Sequence, residues 1–129
     1  MIEEPAVLLE ASRGWLEIKE AVSSGRCSQS LAVIVPSAVQ ETFVRKFGEL
    51  LLGDYHTWKD GVHPDLVFAG TYLKAPTIEQ CRYLRGELDL HPLVAKVRLA
   101  VIWGAEKLSV EASNSLLKLT EEPPAHGYI

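Results

Sequence analysis

The sequence is poor in residues on which several common classes of protein depend. Its two cysteines, Cys27 and Cys81, lie far apart, so they form neither a disulfide framework nor a four-cysteine zinc module. We expect each to be a buried or half-buried apolar side chain. No apolar run approaches the roughly 20 residues that span a bilayer, and the N-terminal segment is acidic where a signal peptide would be basic. These absences favour a cytoplasmic protein with no membrane partner.

Positive charge is also scarce. The 129 residues carry 13 basic and 17 acidic side chains, a net charge of −4. Proteins that bind nucleic acid unaided usually show a basic stripe, and the longest hint here is the pair Lys96 and Arg98. We expect these two side chains to be a solvated entrance to a strand. Autonomous DNA binding is therefore not predicted.

What the sequence does contain is alternating strand and helix patterns, in a chain long enough for one domain. Three apolar runs are typical of strands, at residues 31–35, 65–70 and 97–104. Four helical patterns surround them. The first has its apolar stripe at Trp15, Ile18 and Val22 and ends at Gly25, and the second has its stripe at Val39, Phe43, Phe47, Leu50 and Leu51 and ends at Gly53. The third begins with a Thr77–Gln80 capping box and has its stripe at Ile78, Cys81, Leu84 and Leu88. The fourth runs from the cap Ser109 through Leu119, and Pro123 and Pro124 follow it.

This alternation predicts an α/β fold of three layers, a mainly parallel sheet flanked by helices. Ligands bind such sheets at the carboxyl ends of the strands. The stretches that follow Val35 and Ile102 are therefore the candidate site.

The first stretch has the layout of a phosphate loop without its chemistry. In G-x-x-x-x-G-K-S/T, backbone N–H groups cradle the phosphates and the lysine neutralises them. Laid over the sequence, the glycines fall on Val35 and Gln40, the lysine falls on Glu41, and only the hydroxyl of Thr42 agrees. We expect Ser37 and Gln40 to form a capping box, with Glu41 in the first helical turn acting as the anion. The degenerate loop comprises Val35, Pro36, Ser37, Ala38, Val39, Gln40, Glu41 and Thr42.

The second stretch lacks the carboxylates that hold magnesium in nucleotide hydrolases of this layout. The strand ends at Trp103 and Gly104, and Glu106 lies beyond it as a solvated loop acid. His56, His63 and Asp65 are more often loop polar groups and a strand cap than a metal site. We therefore expect no cofactor, no metal and no catalytic residue.

The segment "KLSVEASNSLLKLTEEPPAH" (107–126) closely resembles the one that follows the third core strand in bacterial clamp-loader proteins of the AAA+ class, whose pattern is "EAxNxLLKxLEEPP". Residues 22–37, 63–66 and 77–102 also fall into register with that family. The resemblance implies a RecA-like AAA+ core. Among clamp-loader subunits, the DNA polymerase III delta-prime subunit typically lacks a competent nucleotide site, and it is the member that this sequence resembles.

The resemblance implies a non-hydrolysing structural subunit, not an enzyme, that helps to load the sliding clamp onto primed DNA for the replicative polymerase. Its partners would be delta and gamma/tau subunits. In relatives the fourth-helix segment lies near the subunit boundary, which makes Asn114, Lys118, Glu121 and Glu122 interface candidates, with Leu116 and Leu117 expected in the core.

The resemblance also implies that residues 1–129 are an incomplete N-terminal domain, because the family continues with a fourth strand, a lid and a C-terminal collar. That fourth strand lies between the first and third, and here only Tyr128 and Ile129 could begin it. We expect the isolated chain to fold marginally or to self-associate through unpaired strand edges. Many relatives carry four cysteines before the histidine-proline-aspartate stretch, and this chain has none there.

Two other readings of the sequence remain open. One is an ATP-binding motor subunit or another AAA+ ATPase with an unorthodox phosphate loop. The other is a stand-alone interaction module anchored by aromatic side chains. Trp15 lies on a predicted buried stripe, so Trp58 and Tyr55 are the better surface candidates for that module.

Overall fold

The computed structural model describes residues 5–59, 62–71 and 73–129. Its helices are α1 (Pro5–Glu10), α2 (Arg13–Ser23), α3 (Ser37–Leu52), α4 (Ile78–Asp89) and α5 (Val110–Glu121). Its strands are β1 (Leu66–Ala69), β2 (Arg98–Ile102) and β3 (Gly127–Tyr128). Within these described ranges, no helix is long and apolar enough to cross a membrane.

The three strands form one parallel sheet in the order β1-β2-β3. Leu66 lies opposite Leu99 in the first pair, and Arg98 lies opposite Gly127 in the second. Helices cover both faces of the sheet, so the predicted three-layer α/β fold is confirmed. The architecture is that of a RecA-like AAA+ core.

One face of the sheet packs on the N-terminal helices. The buried cluster there joins Trp15 of α2 and the aromatic side chains of α3 to Leu99 of β2. Phe43 meets Trp15 edge-on at 5.9 Å between ring centroids and stacks on Phe47 at 5.7 Å. Burial of each such ring stabilises the fold by about 1.5–3 kcal/mol.

The opposite face packs on α4 and α5. Cys81, Leu84 and Leu88 of α4 are fully buried there against Ala100 of β2 and Leu116 of α5. The sequence predicted this stripe because these residues recur at helical spacing. Cys27 is half-buried, so the expectation for both cysteines is confirmed.

The strand that the sequence predicts over 31–35 is absent from the described structure. Ile129 donates its N–H to the Gln29 carbonyl and accepts from the Leu31 N–H, at 2.7 and 2.9 Å. The end of β3 thus lies beside this segment, as the resemblance implies for the fourth strand. The pairing stops at Leu31, so residues 32–34 are exposed, with Ile34 at 99%. A strand requires a hydrogen-bonded neighbour, and this apolar run has none beyond Leu31 among the described residues.

Candidate functional site

The structure brings the two candidate stretches together, at the carboxyl ends of the strands. Glu41 and Thr42 of α3 and Trp103, just after β2, line one open cleft of about 480 Å³. Parallel strands and the helices that follow them place these segments at one edge of the sheet. The adjacency that the sequence predicted is therefore present.

The start of α3 differs from the expected capping box. Pro36, not Ser37, is the N-cap residue, and Ser37 is the first helical residue. No side-chain hydrogen bond caps this helix, and Gln40 Nε2 lies 3.5 Å from the Val35 carbonyl instead. The prediction was wrong because Ser37 has helical geometry, whereas a capping side chain must come from the residue before the helix.

Glu41 was also misplaced by the sequence argument. The helix begins one residue earlier than that argument assumed, so the first turn holds no acidic residue and Glu41 follows it. Glu41 nonetheless lines the cleft, beside Thr42 and Arg45. The lining therefore includes both a carboxylate and a guanidinium group.

Two aromatic rings lie side by side near the carboxyl ends of β1 and β2. Trp103 stacks on Phe68 of β1, with ring centroids 6.2 Å apart and planes 19° apart. Gly104 follows with a left-handed φ of 61° and begins a single 3₁₀ turn, Ala105–Lys107. Glu106 is exposed within that turn, as expected. The end of β2 thus presents an aromatic surface, not a carboxylate pair, to the cleft.

A buried ionic network lies at the other end of the sheet, and the sequence analysis missed it. The Asp65 carboxylate accepts N–H hydrogen bonds from Leu93, Val94 and Ala95 at 2.6–2.8 Å. It also accepts one from Arg98 Nη1 at 3.1 Å, while Arg98 Nη2 contacts Glu87 at 3.2 Å. Arg98 is only 2% exposed, which corrects its expected place in a solvated strand entrance. Lys96 is exposed, as expected.

Burial of Asp65 would by itself raise its pKa. The hydrogen bonds from the Ala95, Leu93 and Val94 amides, together with the charge of Arg98, outweigh that effect and hold the pKa below its ordinary value. The carboxylate is therefore ionised and its oxygens are occupied by donors. His63 Nδ1 accepts the Asp65 N–H at 2.9 Å, so Asp65 and His63 stabilise the strand entrance.

A signal for this network was present in the sequence. "VRLAVI" places an arginine inside an otherwise apolar strand, and a buried guanidinium requires a carboxylate partner. Asp65, at the entrance of the neighbouring strand, is such a partner. The pairing itself depends on the register of β1 against β2, which places Leu66 opposite Leu99.

The fourth-helix candidates all lie on the surface. The exposed residues at the outer side and end of α5 include all four candidates, Asn114, Lys118, Glu121 and Glu122. Leu117 is also exposed, at 54%, and shares their side of the helix, while Leu116 is buried at 3%. The expectation that both leucines belong to the core was therefore wrong for Leu117, because adjacent helical residues point about 100° apart.

Two of the three aromatic anchors considered for a stand-alone interaction module, Trp58 and Trp15, are buried. Trp58 is 8% exposed and donates its indole N–H to the Gly53 carbonyl at 3.0 Å. Trp15 is 6% exposed in the core, as its position on the stripe predicted. The Tyr55 side chain lies outside what the structure describes. Trp58 therefore contributes to packing against α3 and not to a binding surface.

These features define a class of protein: an α/β core in which a parallel sheet is covered on both faces by helices. The family model described as "DNA polymerase III, delta subunit" matches residues 54–129, more than half of the chain. The chain belongs to that family. Its members are clamp-loader subunits, which gives this chain a clamp-loader-related role in DNA replication. None of the curated proteins compared with the chain matches it.

Proposed function

We propose that this chain acts as a non-hydrolysing, delta-prime-type subunit of the clamp loader, which contributes contacts and not ATP turnover. The observation that carries the proposal is the composition of two segments, the start of α3 and the residues just after β2. In the phosphate-loop alignment Glu41 falls on the lysine position, Pro36 has no N–H to offer, and Trp103 follows the strand that carries the magnesium carboxylates in hydrolases of this layout. Phosphate binding in this layout depends on those three contributions.

Calorimetric titration with magnesium ATP tests the proposal. We expect no saturable heat up to low millimolar ATP from a sample whose circular dichroism shows that it is folded. Saturable heat at micromolar to low millimolar ATP would overturn the proposal and favour the ATP-binding motor subunit. Magnesium ADP serves as a second ligand, because an ATPase site with low ATP affinity often retains its product.

The proposed partners are the delta and gamma/tau subunits, with the sliding clamp and primed DNA reached through the complex in the cytoplasm. The exposed side of α5 supports one contact surface, since Leu117 and Lys118 lie three and four residues after Asn114, and Glu121 lies four and three residues after them. In the proposed contact the leucine would form the apolar centre and the polar side chains the rim.

Copurification of the chain with the delta and gamma/tau subunits tests this surface. We expect Leu117→Asp to abolish capture, because a carboxylate would be desolvated at the contact. Leu16→Asp is the matched control, since Leu16 is 56% exposed on α2, which packs on the opposite face of the sheet from α5. Equal capture of both variants and the wild-type chain would remove α5 from the proposed interface.

A further inference from the structure

Two histidines that are distant in the chain lie side by side at the amino-terminal end of β3. His91 follows the end of α4, and His126 directly precedes β3. Their ring centroids are 5.2 Å apart, and the ring planes are tilted by 32°. His91 is exposed and His126 is half-buried, so solvent and small ions can reach the pair. Neither histidine lines the cleft between α3 and the end of β2.

The packing of β3 against α4 and β2 holds this pair together. The His126 carbonyl accepts the Arg98 N–H at 2.8 Å, which fixes the His126 backbone beside β2. Gly127 lies so close to α4 that a Cβ there would be 3.0 Å from Leu88 Cγ. This close approach brings the start of β3 beside the end of α4, where His91 begins the next loop.

One hydrogen bond defines which nitrogen of His126 is available to a ligand. His126 Nε2 lies 2.8 Å from the Leu90 carbonyl oxygen. A carbonyl oxygen only accepts hydrogen bonds, so Nε2 carries the proton and, in the neutral ring, Nδ1 keeps its lone pair. Histidines that bind metal ions usually donate their second ring N–H to a carbonyl or carboxylate in this way. His126 thus has the outer hydrogen bond that is typical of a metal ligand.

The separation of the two rings fits a shared cation. Two imidazoles that bind one Zn²⁺ at Zn–N distances of about 2.0–2.1 Å and a tetrahedral angle have ring centroids about 5 Å apart. The described residues include no group of three or more histidine, cysteine, aspartate or glutamate side chains that could hold a metal ion. Water would therefore complete the coordination, as in an open and exchangeable site.

We propose that His126 Nδ1 and the His91 ring form a two-histidine site for a late first-row divalent cation such as Zn²⁺. Imidazole nitrogens favour such ions, whereas Mg²⁺ and Ca²⁺ prefer oxygen ligands. The ion links the end of α4 to the start of β3, and its binding stabilises the folded chain. The site revises the expectation of no metal, which considered ligands close together in the sequence. It is independent of nucleotide binding and of the replication partners.

Calorimetric titration of the chain with ZnCl₂ alone, near neutral pH, tests the proposal. We expect saturable binding of one Zn²⁺ per chain, and His91→Ala and His126→Ala should each weaken it by about tenfold or more, because each removes one of two protein ligands. His56→Ala is the matched control, since His56 is an exposed histidine outside the pair. An equal loss in the His56 variant, or the absence of saturable binding, would overturn the proposal.

Nitrogen-15 NMR of the histidine rings supplies a readout that needs no variant and no refolding. Before zinc is added, we expect His126 Nε2 to have the chemical shift of a protonated nitrogen and Nδ1 that of an unprotonated one. Zinc should then shift His126 Nδ1 and one nitrogen of His91, and leave His56 and His63 unchanged. Equal shifts at all four histidines of the chain would indicate adventitious binding only and overturn the proposal. A proton on His126 Nδ1 in place of Nε2 would also overturn it.

Discussion

Asp65 and Arg98 form an ion pair at 3.1 Å inside the sheet, and neither side chain is more than 2% exposed. The pair joins the entrances of β1 and β2, and the same carboxylate holds the backbone of residues 93–95. One buried anion thus connects two strands and a loop. Removal of Arg98 leaves the buried Asp65 carboxylate without its counter-ion, and removal of Asp65 leaves Arg98 with the partly exposed Glu87.

We expect Asp65→Asn to lower the free energy of unfolding by about 3–5 kcal/mol, because Arg98 loses its buried counter-ion and, among the described residues, keeps the partly exposed Glu87 as its ionic partner. Urea unfolding followed by tryptophan fluorescence measures the change. Asp89→Asn, at an exposed position on α4, is the matched control and should stay within about 0.5 kcal/mol. Equal effects of the two variants would show that the buried network contributes little.

The free energy of unfolding should fall at acidic pH because the Asp65 carboxylate becomes protonated. The folded-state pKa of Asp65 lies below its ordinary value of 3.8, so its contribution is complete above that pH and decreases as pH falls toward the folded-state pKa. The slope of the unfolding free energy in that window is positive with pH, up to about 1.4 kcal/mol per pH unit from this group. Urea titrations between pH 5 and about 2.5 in the wild type and Asp65→Asn measure it. A variant slope as steep as that of the wild type would contradict the assignment.

The two predicted capping boxes give a matched pair of variants. Thr77 accepts the Gln80 N–H at 3.2 Å, and Gln80 Oε1 accepts the Thr77 N–H at 2.9 Å, whereas Ser37 caps nothing. We expect Thr77→Ala to lower the free energy of unfolding by about 1 kcal/mol and Ser37→Ala to change it by no more than about 0.5 kcal/mol. Thermal unfolding by circular dichroism compares them. A larger loss at Ser37 than at Thr77 would contradict the cap assignments.

Two glycines should respond to alanine in opposite directions. Gly70 has a φ of 79°, and a Cβ there would lie 2.8 Å from the Lys74 carbonyl oxygen and from Pro76 Cδ. We expect Gly70→Ala to destabilise the fold by about 1–3 kcal/mol. Gly86 lies in the interior of α4 with open space around it, so Gly86→Ala should raise the free energy of unfolding by up to about 1 kcal/mol. Urea midpoints measure both, and a stabilising Gly70→Ala would refute the strained turn.

The helices were largely predictable because local information determines them. The Thr77–Gln80 capping box, the Ser109 cap and the buried stripe of α4 all follow from spacing within one turn or two. The start of α3 was not predictable in this way. A serine followed by a glutamine three residues later gives the same sequence pattern whether the serine is the N-cap residue or already the first residue of the helix. The six-residue helix α1 was also not predicted.

The candidate site was predicted by residue type and only partly by geometry. Glu41 and Trp103 were identified as the groups that replace a lysine and a carboxylate, and the structure places both at one cleft. The absence of nucleotide binding and the interface role of Asn114, Lys118, Glu121 and Glu122 stay predictions. Leu117 joined that surface only when the orientation of α5 was known.

By itself, the sequence determined the fold class, the stripes that bury four of the five helices, and the chemistry that is missing from the phosphate-loop position, because each depends on residue type and local spacing. The tertiary structure decided what depends on partners distant in the chain. Arg98 is buried because Asp65 lies beside it across the sheet. Residues 32–35 are not a strand because an apolar run becomes one only where another strand supplies its hydrogen bonds.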